Sequence, residues 1–283
     1  NVNDTATNLS GGTVTSVNAL NGAGTVTSST NATAVEAAKI AAISKAVVYS
    51  ISDTSANIVA NIGGLNESVN IASTDSCTFA QAKIIEDATN SGTITYNISD
   101  SAANIAVGIG SDNAVISSAG TIAANTYATK AELEIIGGDT KAITFSVKDT
   151  AVNLAAATAA RILKAVNVIA TTDATVAQAT SIDTNTNAGA GGYNTYNITD
   201  SAAAIAAKTN AFLTKAQTVT VDGTADITQA TTISGLTKAV IYSISDVAAN
   251  ALGAAATTYN EAVNITISGN LTVAKADVIK EAS

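Results

Sequence analysis

The chain predicts an α/β fold: a right-handed α/β solenoid of about twelve coils, with one parallel sheet on one side and short Ala-rich helices on the other. A motif recurs along it, a related unit is interleaved with that motif, and the 283 residues contain no proline. The motif reads YSISDTSANI from Tyr49, YNISDSAANI from Tyr96, FSVKDTAVNL from Phe145, YNITDSAAAI from Tyr196 and YSISDVAANA from Tyr242. The interleaved unit reads SVNIASTDSCTFAQAKII from Ser68, AVNVIATTDATVAQATSI from Ala165, TVTVDGTADITQATTI from Thr218 and AVNITISGNLTVAKADVI from Ala262. Strands that pair on both edges exclude proline from their interiors, so its absence fits a long sheet.

The aspartate marks each copy of the first motif. With NVNDTATNL at the start counted, Asp4, Asp53, Asp100, Asp149, Asp200 and Asp246 follow one another at intervals of 49, 47, 49, 51 and 46 residues. Six double repeats of about 47 residues therefore fill 1–283 as a single repeat array, with the weakest match over 11–34 and 111–140. Each holds one aspartate repeat and one alternate repeat. The half-period of about 24 residues is the size of one strand-plus-helix turn.

Each repeat opens with a strand. Val47, Tyr49 and Ile51 alternate with Val48, Ser50 and Ser52; Ile94, Tyr96 and Ile98 with Thr95, Asn97 and Ser99; Ile143, Phe145 and Val147 with Thr144, Ser146 and Lys148. A period of two sends the first set of each to a core and the second to a polar face. The alternate repeats agree, with Val166 and Val168 inward against Asn167, and Val263, Ile265 and Ile267 inward against Asn264 and Thr266.

A helix follows each strand. An aspartate between a strand and an Ala-rich segment suits a helix N-cap, because its carboxylate accepts the first-turn amides and its charge complements the dipole. Asp4, Asp53, Asp100, Asp149, Asp200 and Asp246 are assigned that structural role. Alanine combines the best helix propensity with a small side chain, so such helices can lie close to a sheet. Parallel strands joined through helices cross over right-handed in nearly all cases.

Composition sets limits on function. The chain has no His, Trp or Met, one Cys, 12% charged residues and a net charge of −9. Lacking His and nearly lacking Cys, it offers few of the usual zinc or copper ligands and few nucleophile–base pairs. Its negative charge and want of Lys/Arg clusters argue against nucleic acid and anionic membranes as partners. No apolar run is long enough for a membrane span. Cys77 reads as a small apolar residue at a helix start, with an intermolecular disulfide or a reactive thiol as the alternatives.

The chain opens at Asn1 inside a repeat, without a signal-peptide pattern, which suggests processing or an excerpt of a longer protein. VIKEAS stops where a strand is due, and NVNDT reads as the end of one. Asn1, Val2, Asn3, Asp4, Glu281, Ala282 and Ser283 are accordingly expected to be assembly ends. Through them subunits, or successive segments of one polypeptide, would stack head to tail, as a filament in preference to a ring.

The SDTAANI-type units with interleaved TVAQA units resemble repeat regions of large secreted bacterial surface proteins, many exported by type I systems and acting in surface layers, fibrils or adhesion. The resemblance covers nearly the whole chain and implies an extracellular or cell-surface location. The calcium-binding GGxGxDxxx nonapeptide is absent, so a calcium β-roll is not expected.

The outer sheet face is the candidate binding face: Thr95, Asn97, Thr144, Ser146, Asn197, Thr218, Thr220, Asn264 and Thr266. It would be solvated, packed on a neighbouring filament, or used for carbohydrate, cell-surface glycan or ice recognition; Val48 and Ile241 interrupt the regular Thr array that ice binding wants. No cofactor is expected. The motif aspartates would stand about 10 Å apart, so a calcium ion would need oxygens from an intervening coil, such as those of Asp75 or Asp173. Gly-rich stretches at Gly11, Gly22 and Gly191 lack the Lys and context of phosphate loops and read as turns. Lys130, Glu132 and Glu134, the densest charged cluster, read as a solvated helix face. Enzymatic activity is not expected, since the acids occupy a repeating structural position. The function expected is an extracellular structural repeat protein stacking head to tail into a filament, fibril or surface layer, with an adhesin or carbohydrate- or ice-binding module as the alternative.

Overall fold

A computed structural model describes residues 1–12, 20–184 and 194–282. The Gly191 stretch lies outside the described residues, as does Ser283. The fold is mixed α/β, with short parallel sheets and helices, and divides into two compact units. One is Asn1–Tyr127 with Gly138–Phe145, the other Ala128–Gly137 with Ser146–Ser283.

In the first unit β1 (Val2–Asp4), β2 (Val26–Ser28) and β3 (Val47–Val48) form one sheet, in that order. A second sheet holds β4 (Ile51–Asp53), β5 (Ile71–Cys77), β6 (Ile94–Asp100) and β7 (Ile122–Ala124). All these pairs are parallel between sequence neighbours, and the parallel bridges Ala32 to Ile51 and Ala123 to Thr144 extend the ladder. Its helices are α1 (Ala6–Ser10), α2 (Ala34–Ala41), α3 (Ser55–Ala60), α4 (Phe79–Glu86), α5 (Ala102–Ser111) and α6 (Asn113–Ser118).

The second unit follows the same plan. Its strands are β8 (Val147–Asp149), β9 (Val168–Ala170), β10 (Asn194–Thr195), β11 (Ile198–Asp200), β12 (Val219–Val221), β13 (Ile244–Val247) and β14 (Ile265–Ser268). Pairing is parallel from β8 through β10, between β11 and β12, and between β13 and β14. Bridges Ala174 to Ile198 and Ala225 to Ile244 join them. Its helices are α7 (Lys130–Ile136), α8 (Ala151–Ala155), α9 (Ala159–Ile162), α10 (Val176–Thr184), α11 (Ala202–Ala206), α12 (Asn210–Leu213), α13 (Ile227–Ser234), α14 (Ala248–Ala251) and α15 (Val273–Ala282).

Alternation on the strands puts Tyr49, Ile51, Tyr96, Ile98, Phe145 and Val147 in the core, as their spacing predicts, and leaves Val48 on the outer face. Helix spacing buries Ala34, Ala37 and Ile40 on α2, and Ile227, Ala230 and Ile233 on α13. Each buried isoleucine contributes roughly 1.5–3 kcal/mol of apolar burial. Ile94 and Ile143 are half-buried, and two expected core valines differ as well: Val166 is only half-buried and Val263 is exposed. Both lie ahead of β9 and β14, not within them, and no described repeat covers β14, whose Ile265 and Ile267 are half-buried.

Buried tyrosines need partners for their hydroxyls. Tyr49 donates to the Gly64 carbonyl at 2.7 Å, Tyr96 to Val115 at 2.9 Å and Tyr242 to Thr258 at 3.1 Å. Phe145 occupies the corresponding motif position without a hydroxyl. Among the described residues the buried Tyr196 hydroxyl has no hydrogen-bond partner.

Close packing between neighbours makes some glycines obligatory. A Cβ on Gly92 would lie 2.5 Å from the Val69 carbonyl oxygen and overlap the Asn70 side-chain oxygen, whereas one on Gly110 would meet open space. Gly92→Ala should therefore cost ~1–3 kcal/mol through overpacking. Gly110→Ala, near the end of α5, should be neutral or stabilising by up to ~1 kcal/mol. Paired urea titrations of the two variants measure the contrast.

Candidate functional site

The recurrent chemical feature is a hydrogen bond from a helix start to the repeat that follows, recorded at nine of the described helices. The first amides of a helix have no partner within it. In the first unit the Ala6 amide donates to Thr30 Oγ1 (3.0 Å), Ala34 to Asp53 Oδ2 (3.0 Å), Ser55 to Asp75 Oδ1 (2.6 Å), Phe79 to Asp100 Oδ2 (2.9 Å) and Ala102 to Thr126 Oγ1 (3.0 Å). In the second unit Lys130 donates to Asp149 Oδ2 (2.8 Å), Ala151 to Thr172 Oγ1 (3.1 Å), Val176 to Asp200 Oδ2 (2.8 Å) and Ile227 to Asp246 Oδ2 (2.9 Å).

The aspartates thus differ from their expected role. They are the last residues of their strands or, at Asp246, the penultimate one, and the N-cap falls one residue later, on Thr5, Thr54, Ser101, Thr150, Ser201 and Val247. The hydroxyls of the first five accept the amide three residues on, which frees the carboxylates for work between repeats. Oδ1 of each aspartate accepts the amide of the next residue, and in Asp4, Asp53, Asp100, Asp149 and Asp246 also the side-chain amide of the asparagine four residues on.

Alternate repeats start their helices differently. Thr33 with Glu36, Thr78 with Gln81, Thr129 with Glu132 and Asp226 with Gln229 form reciprocal capping boxes, and Thr175 with Gln178 makes the same two bonds. Thr/Asp-x-x-Glu/Gln before an apolar run is the readable signal for them. Between strand and helix these repeats also carry a corner turn. At β5 it is visible as a register shift between Ala72 and Ser76, where three residues face one of β6. That turn places Asp75 beside the Ser55 amide.

Hydrogen bonding sets the carboxylates' acidity. At Asp246 the Ile227 and Val247 amides hold the carboxyl below its ordinary value. At Asp53 and Asp149 desolvation acts upward but is outweighed by the amides and asparagines around them. Asp4 is lowered chiefly by Asn8, and Asp75 by the Ser55 amide. Burial pushes the Tyr49 hydroxyl up to about 12, aided by Glu67.

The remaining expected residues are placed as follows. On the candidate binding face Thr95, Asn97 and Thr144 are exposed in the first unit; in the second, Thr218, Asn264 and Thr266 are exposed, with Ser146, Asn197 and Thr220 half-buried. Asn97 Oδ1 accepts both the amide and the hydroxyl of Thr121, and Asn197 donates to Asp173. Of the expected assembly ends, Val2, Asn3 and Asp4 form β1, Asn1 accepts from the Thr25 hydroxyl, and Glu281 and Ala282 end α15; the Ala282 side chain, like Ser283, is outside the described residues.

Cys77 is the buried last residue of β5, one step ahead of the α4 cap instead of at the helix start, and burial pushes its thiol up. The Lys130, Glu132 and Glu134 cluster is not merely solvated: Glu132 closes a capping box, while Glu134 accepts the Thr158 amide and pairs with Arg161 at 2.8 Å. Asp75 and Asp173 spend their oxygens on Ser55, Asn197 and Thr199. Among the described residues no group of three His, Cys, Asp or Glu could hold a metal ion, and no helix is long and apolar enough to cross a membrane.

Comparison with known proteins finds no matching family model, no matching curated protein and no matching solved structure.

Removing an inter-repeat acceptor leaves an unpaired helix amide. Asp149→Ala should lower stability by ~1 kcal/mol, up to about 2, the range measured for lost caps. Lys148→Ala, an exposed neighbour on the same strand, should change it by less than about 0.5 kcal/mol. Thermal melts of the two variants compare these outcomes directly.

Proposed function

We propose that this chain is an extracellular structural repeat protein, a right-handed α/β solenoid that stacks head to tail into a filament, fibril or surface layer. The observation that carries this reading is the bond from a helix start to a side-chain oxygen of the following repeat, made nine times by an aspartate or a threonine. Each repeat is joined to its neighbour, strand edge by strand edge and helix amide by side chain. Adding another copy of the same surface then requires no new chemistry, which is the logic of one-dimensional arrays. The mechanism is assembly, and no catalytic step or cofactor enters it. The resemblance of the repeats to secreted bacterial surface proteins supports the extracellular location.

A second reading uses the polar sheet face. Exposed Thr95, Asn97 and Thr144 in the first unit, and Thr218, Asn264 and Thr266 in the second, offer short hydroxyl and amide groups of the kind that bind glycans or the flank of another filament. Val48 and Ile241, both about half exposed (52% and 53%), break the hydroxyl array and weigh against ice.

Sedimentation velocity and negative-stain micrographs of the purified chain over a wide concentration range test the first reading. Growth of unbranched filaments or sheets with concentration is expected, and a strict monomer at millimolar concentration would overturn it. Glycan-array binding by such a monomer, lost in Thr218→Ala with Thr266→Ala, would establish the second.

A further inference from the structure

We propose that acid loosens this protein at selected junctions, releasing the helix starts held by carboxylates while those held by threonine hydroxyls stay closed. The acceptor at each junction is the basis. In the first unit the Ala34 amide is held by Asp53, but those of Ala6 and Ala102 by Thr30 and Thr126. In the second, Lys130 and Ile227 are held by Asp149 and Asp246, but Ala151 by Thr172. An ionised acceptor makes the stronger bond, and protonation removes that advantage from one class alone.

Other charged groups surround both classes of junction. Glu36 and Lys39 on α2 and Asp75 on β5 stand on the elements packed against Asp53; Lys130, Glu132 and Glu134 on α7 do so for Asp149. Near Asp246 are Asp226, which caps α13, and the Tyr259 phenol, which burial holds neutral far above the acid range. The acids among these carry the same charge as the latches and belong to carboxylate-held helices or junctions. Helices α5 and α8, held by Thr126 and Thr172, carry no charged residue of their own, but Asp100 and Asp149 stand just ahead of them, where Oδ1 accepts the Ser101 and Thr150 amides and the Asn104 and Asn153 side chains; the Ala102 and Ala151 amides themselves donate to the threonines.

The sign follows from depressed acidity. Asp53, Asp149 and Asp246 are held below the ordinary aspartate value of 3.8, so their contribution is complete above that pH and is lost as pH falls through the lower folded value. The window lies below about pH 4.

Hydrogen exchange read at single amides, at about pH 6 and about pH 3 with correction for intrinsic rates, tests this. Protection of the Ala34, Lys130 and Ile227 amides should fall about fivefold or more relative to Ala102 and Ala151. An equal fall in both classes, or earlier loss at Ala102 and Ala151, would overturn it. Thr126→Asp should transfer acid sensitivity to the Ala102 amide; a folded Thr126→Asp protein whose Ala102 stays indifferent to acid counts equally against it. If that variant does not fold, the wild-type comparison still decides.

Discussion

The orphan amide at the first position of each helix is the constraint on which the rest depends. These helices are short, from four to ten residues, so their unpaired ends are a large share of their backbone. Nine of the described helices solve half of the problem locally, with a cap side chain or a capping box for the third amide, and leave the first amide to the next repeat. The acceptor must then stand beside that amide, and it can do so only if the neighbouring strand ends in register with the helix start. Strand register, helix start and acceptor position become one requirement. A repeat taken alone is incomplete, and its stability is shared with its neighbours.

That requirement explains the preference for small residues. Paired strands stand about 4.8 Å apart, while ordinary helices pack 8–10 Å apart. Helices attached to successive strands must be brief and nearly bare to stay close to the sheet. The first helical position is alanine in α1, α2, α5, α8, α9, α11 and α14, and it is buried in all of these but α9. Gly64 follows the same logic: a Cβ there would lie 2.5 Å from the Ala37 backbone, so α2 and the segment after α3 approach as closely as main chains allow.

Much of this was legible in the residues themselves. The period, the inward tyrosines and isoleucines and the parallel pairing between sequence neighbours follow from spacing, because side-chain alternation and helix periodicity are local properties. The cap position was not. In Ser-Asp-Thr-Ser-Ala both aspartate and threonine are good caps, and the choice between them is settled by a donor some 19 residues earlier, on another repeat. The roles of Thr30, Thr126 and Thr172 were hidden for the same reason: nothing in a threonine's own neighbourhood says that a helix amide from the preceding repeat will point at it. Their corner turns could have raised the question, because an alternate repeat carries extra residues between strand and helix that the aspartate repeat lacks.

The same economy bears on what the polar face can recognise. An asparagine on an outer face has four hydrogen-bonding positions in water, but the ladder takes some of them. Asn70 accepts the Thr93 amide and hydroxyl, and Asn97 those of Thr121, in each case beside a glycine whose missing Cβ makes room for the side chain. The donor halves of Asn70, Asn167 and Asn197 reach Ser50, Ser146 and Asp173, so what remains for a partner is chiefly the Asn97 amide hydrogens and the exposed threonine hydroxyls. Such a surface presents donors in rows set by strand spacing, and it suits a ligand or neighbouring filament that offers acceptors at that same repeat. A lattice built from further copies of this chain supplies that period automatically, because the spacing of its own carbonyls and hydroxyls is fixed by the same strands.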